Sequence, residues 1–310
     1  MRVFVYEFLS GGGARDSDAG DMRTAGRAMR NAIVADLLAL ENVNITCATS
    51  GDDRPVGGAR LFWCEPSDDE SAIDFVRREA ARHDLAWIVA PETDGVLGAL
   101  CSAVNPRRWL GCDRAAIDVA SSKRATSMRL TAAGIAATPL PQPLSREGRG
   151  ASTAWVVKPD DGAGAVATRL HRSFSAARED LEQRGAPAVL EPWIDGEALS
   201  LSLLCAHNHA ELVSINRQRI GVDEQGRVSF DGVSINQIAV ASARGRRLSQ
   251  LPCDIAAAIP GLRGYVGIDV VWSAGGPVVI EVNPRVTCAY VGLSTALGRN
   301  LAGEILGAGT

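Results

Sequence analysis

The first 110 residues alternate between short apolar segments and longer segments with helical spacing, and this alternation limits the fold more than any other feature. The short segments, each of strand length, are residues 2–8, 45–49, 61–64 and 86–90. Residues 22–40 and 69–82, which lie between them, repeat apolar side chains every three or four positions. Because strands separated by helices form parallel sheets, the pattern predicts an N-terminal α/β domain over residues 1–112.

The pattern changes after residue 112. A helical segment over 121–133 ends at Gly134, and residues 138–150 carry three prolines and two glycines, which is typical of a linker. Closely spaced apolar segments then follow, at residues 155–158, 189–194, 199–205, 211–215, 266–272 and 278–283. Strands so close together predict a mixed or antiparallel sheet.

Composition excludes several classes of protein. The net charge of −4 and the isoelectric point near 5.7 argue against a nucleic-acid surface. No run of about 18 apolar residues is present, so we expect no membrane span. The N-terminus meets Glu7 too early for a signal peptide. Seven scattered cysteines without a CxxC pair indicate free thiols, and we expect a cytoplasmic protein.

Lysine is rare in this chain, since Lys123 and Lys158 are the two lysines among 32 basic residues and the other 30 are arginine. Lys158 ends an apolar strand and precedes a glycine-rich segment, Asp160-Asp161-Gly162-Ala163-Gly164. Backbone N–H groups of such a turn approach an anion closely, and an ammonium at its mouth suits phosphates. The segment lacks the P-loop pattern, and taken alone it is also compatible with a plain β-turn.

Two apolar runs flank Ala274-Gly275-Gly276 and predict a β-hairpin. If the turn centres on Gly275, Asp269 and Glu281 lie directly opposite each other, and Asn283 shares their face. Opposed carboxylates destabilise a bare sheet, but a divalent cation such as Mg²⁺ would bind carboxylate and amide oxygens there. The alternative is that both acids face solvent in a register shifted by one residue.

A third cluster, Glu191-Pro192-Trp193-Ile194-Asp195-Gly196-Glu197, runs from an apolar strand into acids and a glycine. Its backbone could hydrogen-bond a purine edge while Glu197 reaches a ribose hydroxyl. By itself the cluster favours a surface turn.

The order of these clusters resembles the ATP-grasp superfamily, from Lys123 to Arg285. The resemblance implies a nucleotide between two α+β subdomains, with residues 113–190 as the central lid subdomain and 191–310 as the C-terminal one. It implies ATP and Mg²⁺ (or Mn²⁺) as cofactors. The implied ATP contacts are Lys123, Lys158, the lid residues Gly162 and Gly164, the adenine-hinge residues Glu191, Trp193 and Ile194, and the ribose contact Glu197. The implied metal ligands are Asp269, Glu281 and Asn283, and the implied catalytic residues are Lys158 and Arg285, which contacts the γ-phosphate or an acyl phosphate.

The N-terminal residues Tyr6-Glu7-Phe8-Leu9-Ser10-Gly11-Gly12-Gly13 resemble tyramine–glutamate ligases. This resemblance implies an amide formed from the γ-carboxyl of L-glutamate and tyramine, in methylofuran biosynthesis. We expect substrate contacts at Glu7, Ser10, Gly11, Gly12 and Arg217.

We therefore expect an ADP-forming carboxylate–amine ligase with small-molecule substrates and no nucleic-acid or membrane partner. A ligase for another amino acid or amine, a carboxylase acting on bicarbonate and a regulator without catalysis stay open, as does a homo-oligomer.

Overall fold

The computed structural model describes residues 1–13, 20–50, 54, 58–139, 154–162, 164–206 and 209–308, with the predicted linker mostly outside these ranges. The chain forms three β-sheets with helices packed around them. Among the described residues, no helix is both long and apolar enough to cross a membrane.

Strands and helices alternate in the first part of the chain, and most elements of the second part are strands. The strands are β1 (Arg2–Glu7), β2 (Asn44–Ala48), β3 (Leu61–Cys64), β4 (Leu85–Val89), β5 (Trp109–Leu110), β6 (Trp155–Pro159), β7 (Arg169–His171), β8 (Ala188–Pro192), β9 (Glu197–Ala206), β10 (His209–Val222), β11 (Val228–Ser234), β12 (Gly264–Ser273) and β13 (Gly276–Asn283). The helices are α1 (Gly20–Leu38), α2 (Ala72–Arg82), α3 (Val96–Ala103), α4 (Arg114–Ala120), α5 (Lys123–Ala132), α6 (Phe174–Gln183), α7 (Ala243–Leu248), α8 (Leu251–Ala258), α9 (Leu293–Leu297) and α10 (Leu301–Ala308).

The N-terminal sheet is parallel in the order β3-β2-β1-β4-β5, which confirms the prediction from strand–helix alternation. Both of its faces are buried. In β1, Phe4 and Tyr6 belong to one apolar core, whereas Val3 and Val5 belong to the core on the other face. A continuous apolar strand of this kind is what a parallel sheet covered by helices requires.

The second half of the chain forms two antiparallel sheets, as the strand spacing predicts. One is the three-stranded sheet β7-β6-β8, and the other is the five-stranded sheet β11-β10-β9-β12-β13. The three-stranded sheet has a small core of its own with α6, formed by Val157, Ala177 and Leu190. The five-stranded sheet instead shares one apolar core with the N-terminal sheet.

The predicted division at residues 112 and 190 can be compared with the elements of the structure. Residue 190 lies inside β8, so the three-stranded sheet continues to Pro192. Helices α4 and α5 lie in the core that the N-terminal and five-stranded sheets share, and the Thr138 amide donates a hydrogen bond to the Val279 carbonyl. The division at residue 112 stays a prediction.

The hairpin of β12 and β13 pairs Asp269 with Glu281, as the sequence predicts, but the turn differs. Ser273 pairs with Gly276, so the turn consists of Ala274 and Gly275 and is centred half a residue earlier. A β-bulge at Ile280 restores the predicted pairing, since one extra residue on β13 lies between the two paired segments. The bulge also lets Val279 and Val282 both reach the core although three positions separate them.

Candidate functional site

The start of α5 and the end of β6 are joined, and this joint brings the two lysines of the chain together. The Asp160 carboxylate accepts hydrogen bonds from the Ser122 hydroxyl (2.7 Å) and the Arg124 amide (2.9 Å), and the Asp160 carbonyl accepts one from the Lys123 amide. Ser122 in turn caps the helix by accepting from the Ala125 amide. Lys123 thus begins α5 beside the loop that follows Lys158.

Each lysine is buried and paired with a carboxylate of the predicted site. The Lys123 Nζ lies 3.1 Å from Glu281 Oε1 and donates to the Gly162 carbonyl at 3.2 Å. The Lys158 Nζ lies 2.8 Å from Glu191 Oε2, diagonally across β6 and β8. Burial works to lower the pKa of Lys123, but the nearby charges, Glu281 foremost, outweigh it and raise that pKa. The Lys123 ammonium therefore keeps its charge although it is buried.

Asp269 lies opposite Glu281 in a setting that disfavours a second negative charge. Burial, and next the charge of Glu281, raise the pKa of Asp269 to about 7. Two amides hold its carboxylate, since Gln218 Nε2 donates to one oxygen at 2.9 Å and Asn283 Nδ2 to the other at 3.4 Å. The opposed acids on one face, with an amide beside them, are the arrangement predicted from the hairpin.

This arrangement fits a divalent cation. The Asp269 and Glu281 carboxylates lie opposite each other with the Asn283 amide beside them, and these are the oxygen-bearing groups that Mg²⁺ takes as ligands. Within the described ranges, however, no three His, Cys, Asp or Glu side chains come together. Asp269, Glu281 and Asn283 would thus hold Mg²⁺ only in part, and the phosphate oxygens of a nucleotide or water would complete its shell.

Arg285 lies just beyond β13 and is bound by a residue of the N-terminal domain. Its Nε and Nη2 donate to the two carboxylate oxygens of Glu92 at 2.9 and 2.8 Å, and both side chains are buried. Burial works to lower the pKa of Arg285, but Glu92 and Glu281 outweigh it and raise the pKa. The cleft thus contains three ion pairs, each made of a predicted cationic or acidic site residue and a partner.

The predicted lid loop follows β6 and is rich in left-handed backbone. Gly162 and Gly164 have φ angles of +115° and +71°, a region that glycine enters without strain. Ala163 lies outside the described residues. The Gly162 carbonyl contacts Lys123, so the loop lies over the phosphate-binding position predicted for the lysines.

The predicted nucleotide hinge follows β8. The Glu191 side chain faces Lys158, and the amide of Trp193 donates to the Ala154 carbonyl, while Ile194 is half-buried next to it. The structure brings two other predicted residues together in an unexpected way. Glu197 forms ion pairs with Arg217 (Nε to Oε1, 2.7 Å) and with Arg244 (Nη1 to Oε2, 2.6 Å), so both of its oxygens are engaged.

Glu7 forms hydrogen bonds within the loop that follows β1. The Glu7 carboxylate accepts from the amides of Leu9 (3.1 Å) and Ser10 (2.8 Å), and the Glu7 carbonyl accepts from the Gly11 amide. The amide of Ser10, a predicted substrate contact, is thus already bound by an internal carboxylate. The Ser10 hydroxyl is buried without a hydrogen-bond partner among the described residues. The substrate contacts at Glu7, Ser10, Gly11 and Gly12 stay predictions.

Two residues of the cleft were missed by the sequence analysis. Glu92 follows a buried parallel strand, and the carboxyl ends of such strands are where ligands bind, so its position was a usable signal. Gln218 lies between Arg217 and Arg219, and strand alternation places it on the opposite face from them. Alternation gives the face on which Gln218 lies, but its contact with Asp269 depends on the strand order β10-β9-β12.

Comparison with known proteins identifies both halves of the chain. Residues 120–289 match the model of the ATP-grasp domain, and residues 52–117 match that of the pre ATP-grasp 3 domain.

Two curated relatives have the same name. The tyramine–L-glutamate ligase of Methanocaldococcus jannaschii is 31% identical over 214 residues, which is 68% of this chain and 59% of that protein. The chain thus matches less than two thirds of that relative's length. The tyramine–L-glutamate ligase of Methanocaldococcus fervens is 27% identical over 299 residues, 94% of this chain and 89% of that protein.

Among solved structures, an ATP-grasp superfamily protein from Archaeoglobus fulgidus has a similar fold. The TM-score is 0.73 at 22% identity, and the superposition covers 99% of this chain and 88% of that one.

Proposed function

Because the chain belongs to the ATP-grasp family of ligases, we propose that it is an ATP-dependent carboxylate–amine ligase whose substrates are L-glutamate and tyramine. The product is γ-glutamyltyramine, and the pathway is methylofuran biosynthesis. One observation carries the proposal: two buried lysines, two opposed carboxylates and a buried arginine meet in a single cleft. Seven free cysteines are compatible with the reducing cytoplasm, where we place the reaction.

The chemistry has two steps. An oxygen of the substrate carboxylate attacks the γ-phosphorus of ATP, the bond to the β-phosphate oxygen breaks, and ADP leaves. The amine nitrogen then attacks the carbonyl carbon of the acyl phosphate, the C–O bond to phosphate breaks, and the amine loses a proton to solvent. The first step brings two anions together and the second releases an anionic phosphate, so catalysis depends on fixed positive charge at the transferred group.

The residues of the cleft have distinct tasks in this scheme. Lys123 and Lys158 neutralise the α- and β-phosphates. To do so, Lys123 leaves the carboxylate of Glu281 and Lys158 leaves that of Glu191. Arg285 binds the transferred phosphoryl group. When bound at Asp269, Glu281 and Asn283, Mg²⁺ supplies charge neutralisation at the phosphate oxygens. The glycine-rich loop over Lys123 excludes water, which would hydrolyse an acyl phosphate.

The substrate pair is supported by the printed names of both curated relatives and by the N-terminal segment that resembles the same ligases. The contacts of Arg217 favour considering a second pair of substrates. Its guanidinium already binds Glu197, which weakens its case as a partner for a glutamate carboxylate. A ligase for another acid or amine is therefore the alternative candidate.

The test is ADP release from ATP and Mg²⁺ with L-glutamate and a panel of amines that includes tyramine. Mass spectrometry with fragmentation identifies the amide and separates γ- from α-linkage. We expect γ-glutamyltyramine and ADP in equal amounts. Strong ADP release with a different pair, and none with glutamate and tyramine, would replace the substrates and keep the ligase. Absence of ADP release with every pair would refute the ligase assignment.

A further inference from the structure

The loop that follows β4, residues 91–95, lies at a special position of the N-terminal sheet. In the order β3-β2-β1-β4-β5, the chain leaves β1 towards one side of the sheet and β4 towards the other. The carboxyl ends of β1 and β4 therefore form a topological switch point, the crevice where open α/β sheets bind ligands. Glu92, at 2% exposure, is the buried acid of this loop.

Glu92 binds Arg285 in a geometry that fixes the guanidinium. The two parallel hydrogen bonds, 2.9 and 2.8 Å long, leave a planar fork in one orientation. Arg285 has five N–H donors, of which Nε and one on Nη2 bind Glu92 and one on Nη1 binds the Val286 carbonyl. One N–H on Nη1 and one on Nη2 are thus left for the oxygens of a ligand.

The same loop also contacts the glycine-rich loop over the lysines. The Asp94 amide donates to the Asp161 carboxylate at 2.8 Å. A Cβ atom placed on Gly162 would lie 3.5 Å from the Thr93 hydroxyl, so the two loops lie close together there. Asp94 has a φ of +54° and Gly95 a φ of +67°, so two consecutive left-handed residues form the turn of this loop.

We infer that Glu92 is a positioning residue for phosphoryl transfer: it holds Arg285 so that the two remaining N–H groups meet the γ-phosphoryl group. This inference rests on the proposed function for the role of Arg285. Glu92 acts through Arg285 and does not itself contact the nucleotide. Because the 91–95 loop touches both Arg285 and the glycine-rich loop, the N-terminal domain sets the geometry on both sides of the phosphates.

The test compares binding of two Mg²⁺-nucleotides, since ADP lacks the γ-phosphoryl group and the non-hydrolysable analogue AMP-PNP keeps it. In Glu92→Gln, calorimetry should show AMP-PNP affinity falling about tenfold relative to ADP, which is the loss expected for one charge-assisted hydrogen bond. ADP affinity should change less than about threefold. In an Arg285→Ala background, Glu92→Gln should cause no further change in this ratio.

A matched control is Glu211→Gln, because Glu211 makes a bidentate pair with Arg299 outside the cleft, at 2.7 and 3.0 Å. In Glu211→Gln, the ratio of AMP-PNP affinity to ADP affinity should equal that of the wild type. Thermal unfolding of all variants verifies that they are folded. An unchanged ratio in Glu92→Gln, or a further loss in the Arg285→Ala background, would overturn the inference. The ratio needs no acid or amine, so failure of the glutamate–tyramine assignment would appear separately, as wild-type protein with normal nucleotide binding and no ADP release.

Discussion

Replacing Asp269 by Asn should stabilise the protein in the absence of metal at neutral pH, although it damages the site. The pKa of Asp269 rises from 3.8 to about 7 on folding, because the site is buried and faces Glu281. A raised carboxyl pKa means that the folded state holds the proton more tightly than the unfolded state. The stability from the protonated group is full below pH 3.8 and is lost as the pH rises through about 7.

The magnitude follows from the shift. About three pKa units correspond to ~4 kcal/mol, and we halve this to ~2 kcal/mol because the carboxyl is only partly buried by its surface area and water screens it. The pKa values of Asp269 in the unfolded chain and in the folded protein differ by about three pH units, and roughly two of these units lie between pH 5 and pH 7. The wild type should therefore lose ~1–2 kcal/mol relative to Asp269→Asn between pH 5 and pH 8.

The assay is urea unfolding at both pH values, since urea leaves the charges unscreened. A control of opposite sign is Asp180→Asn, because Arg184 and His171 lower the pKa of Asp180 despite its burial. That variant should be less stable than the wild type by the same amount at pH 5 and pH 8, because the stability from a carboxylate with a lowered pKa is lost only when the pH falls below 3.8. With Mg²⁺ at pH 8, the wild type should gain stability and Asp269→Asn should gain less. Equal pH dependence of the wild type and Asp269→Asn would refute the reasoning.

Three other substitutions test the cleft and its support. Glu281→Ala should abolish turnover because Asp269 alone holds Mg²⁺ poorly, and near-normal ADP release would contradict the metal assignment. Lys158→Met should cost about 3–5 kcal/mol of unfolding free energy because it leaves Glu191 buried and unpaired. The double variant with Glu191→Leu should recover most of this loss, and additive losses would disprove the coupling. Gly26→Ala, which ordinarily stabilises a helix by ~1 kcal/mol, should instead destabilise by about 1–3 kcal/mol, since its Cβ would lie 2.5 Å from the Glu7 carboxylate. A raised thermal midpoint would show that Glu7 moves freely.

Structural features that depend on residues close together in the sequence could be predicted from the sequence. Alternating strands and helices required a parallel sheet, and closely spaced strands required antiparallel ones, because local hydrophobic period and connection length limit how strands can pair. The rarity of lysine singled out Lys123 and Lys158, and the hairpin pattern singled out Asp269 and Glu281. All four lie in one cleft.

Pairings between distant segments needed the tertiary structure. The bulge at Ile280 adjusts the hairpin to a core built by other strands, so the turn alone could not give the register. The pairing of Glu92 with Arg285 joins residues 193 positions apart, and no local period records such a contact. Similarly, Glu7 looked like a substrate contact because its motif was visible, whereas its hydrogen bonds to the loop depend on how the chain turns after β1. The sequence by itself determined which residue types could bind a nucleotide and a metal. Only the tertiary structure decided which charge neutralises which, because a buried charge takes its partner from whichever segment the fold brings within about 3 Å.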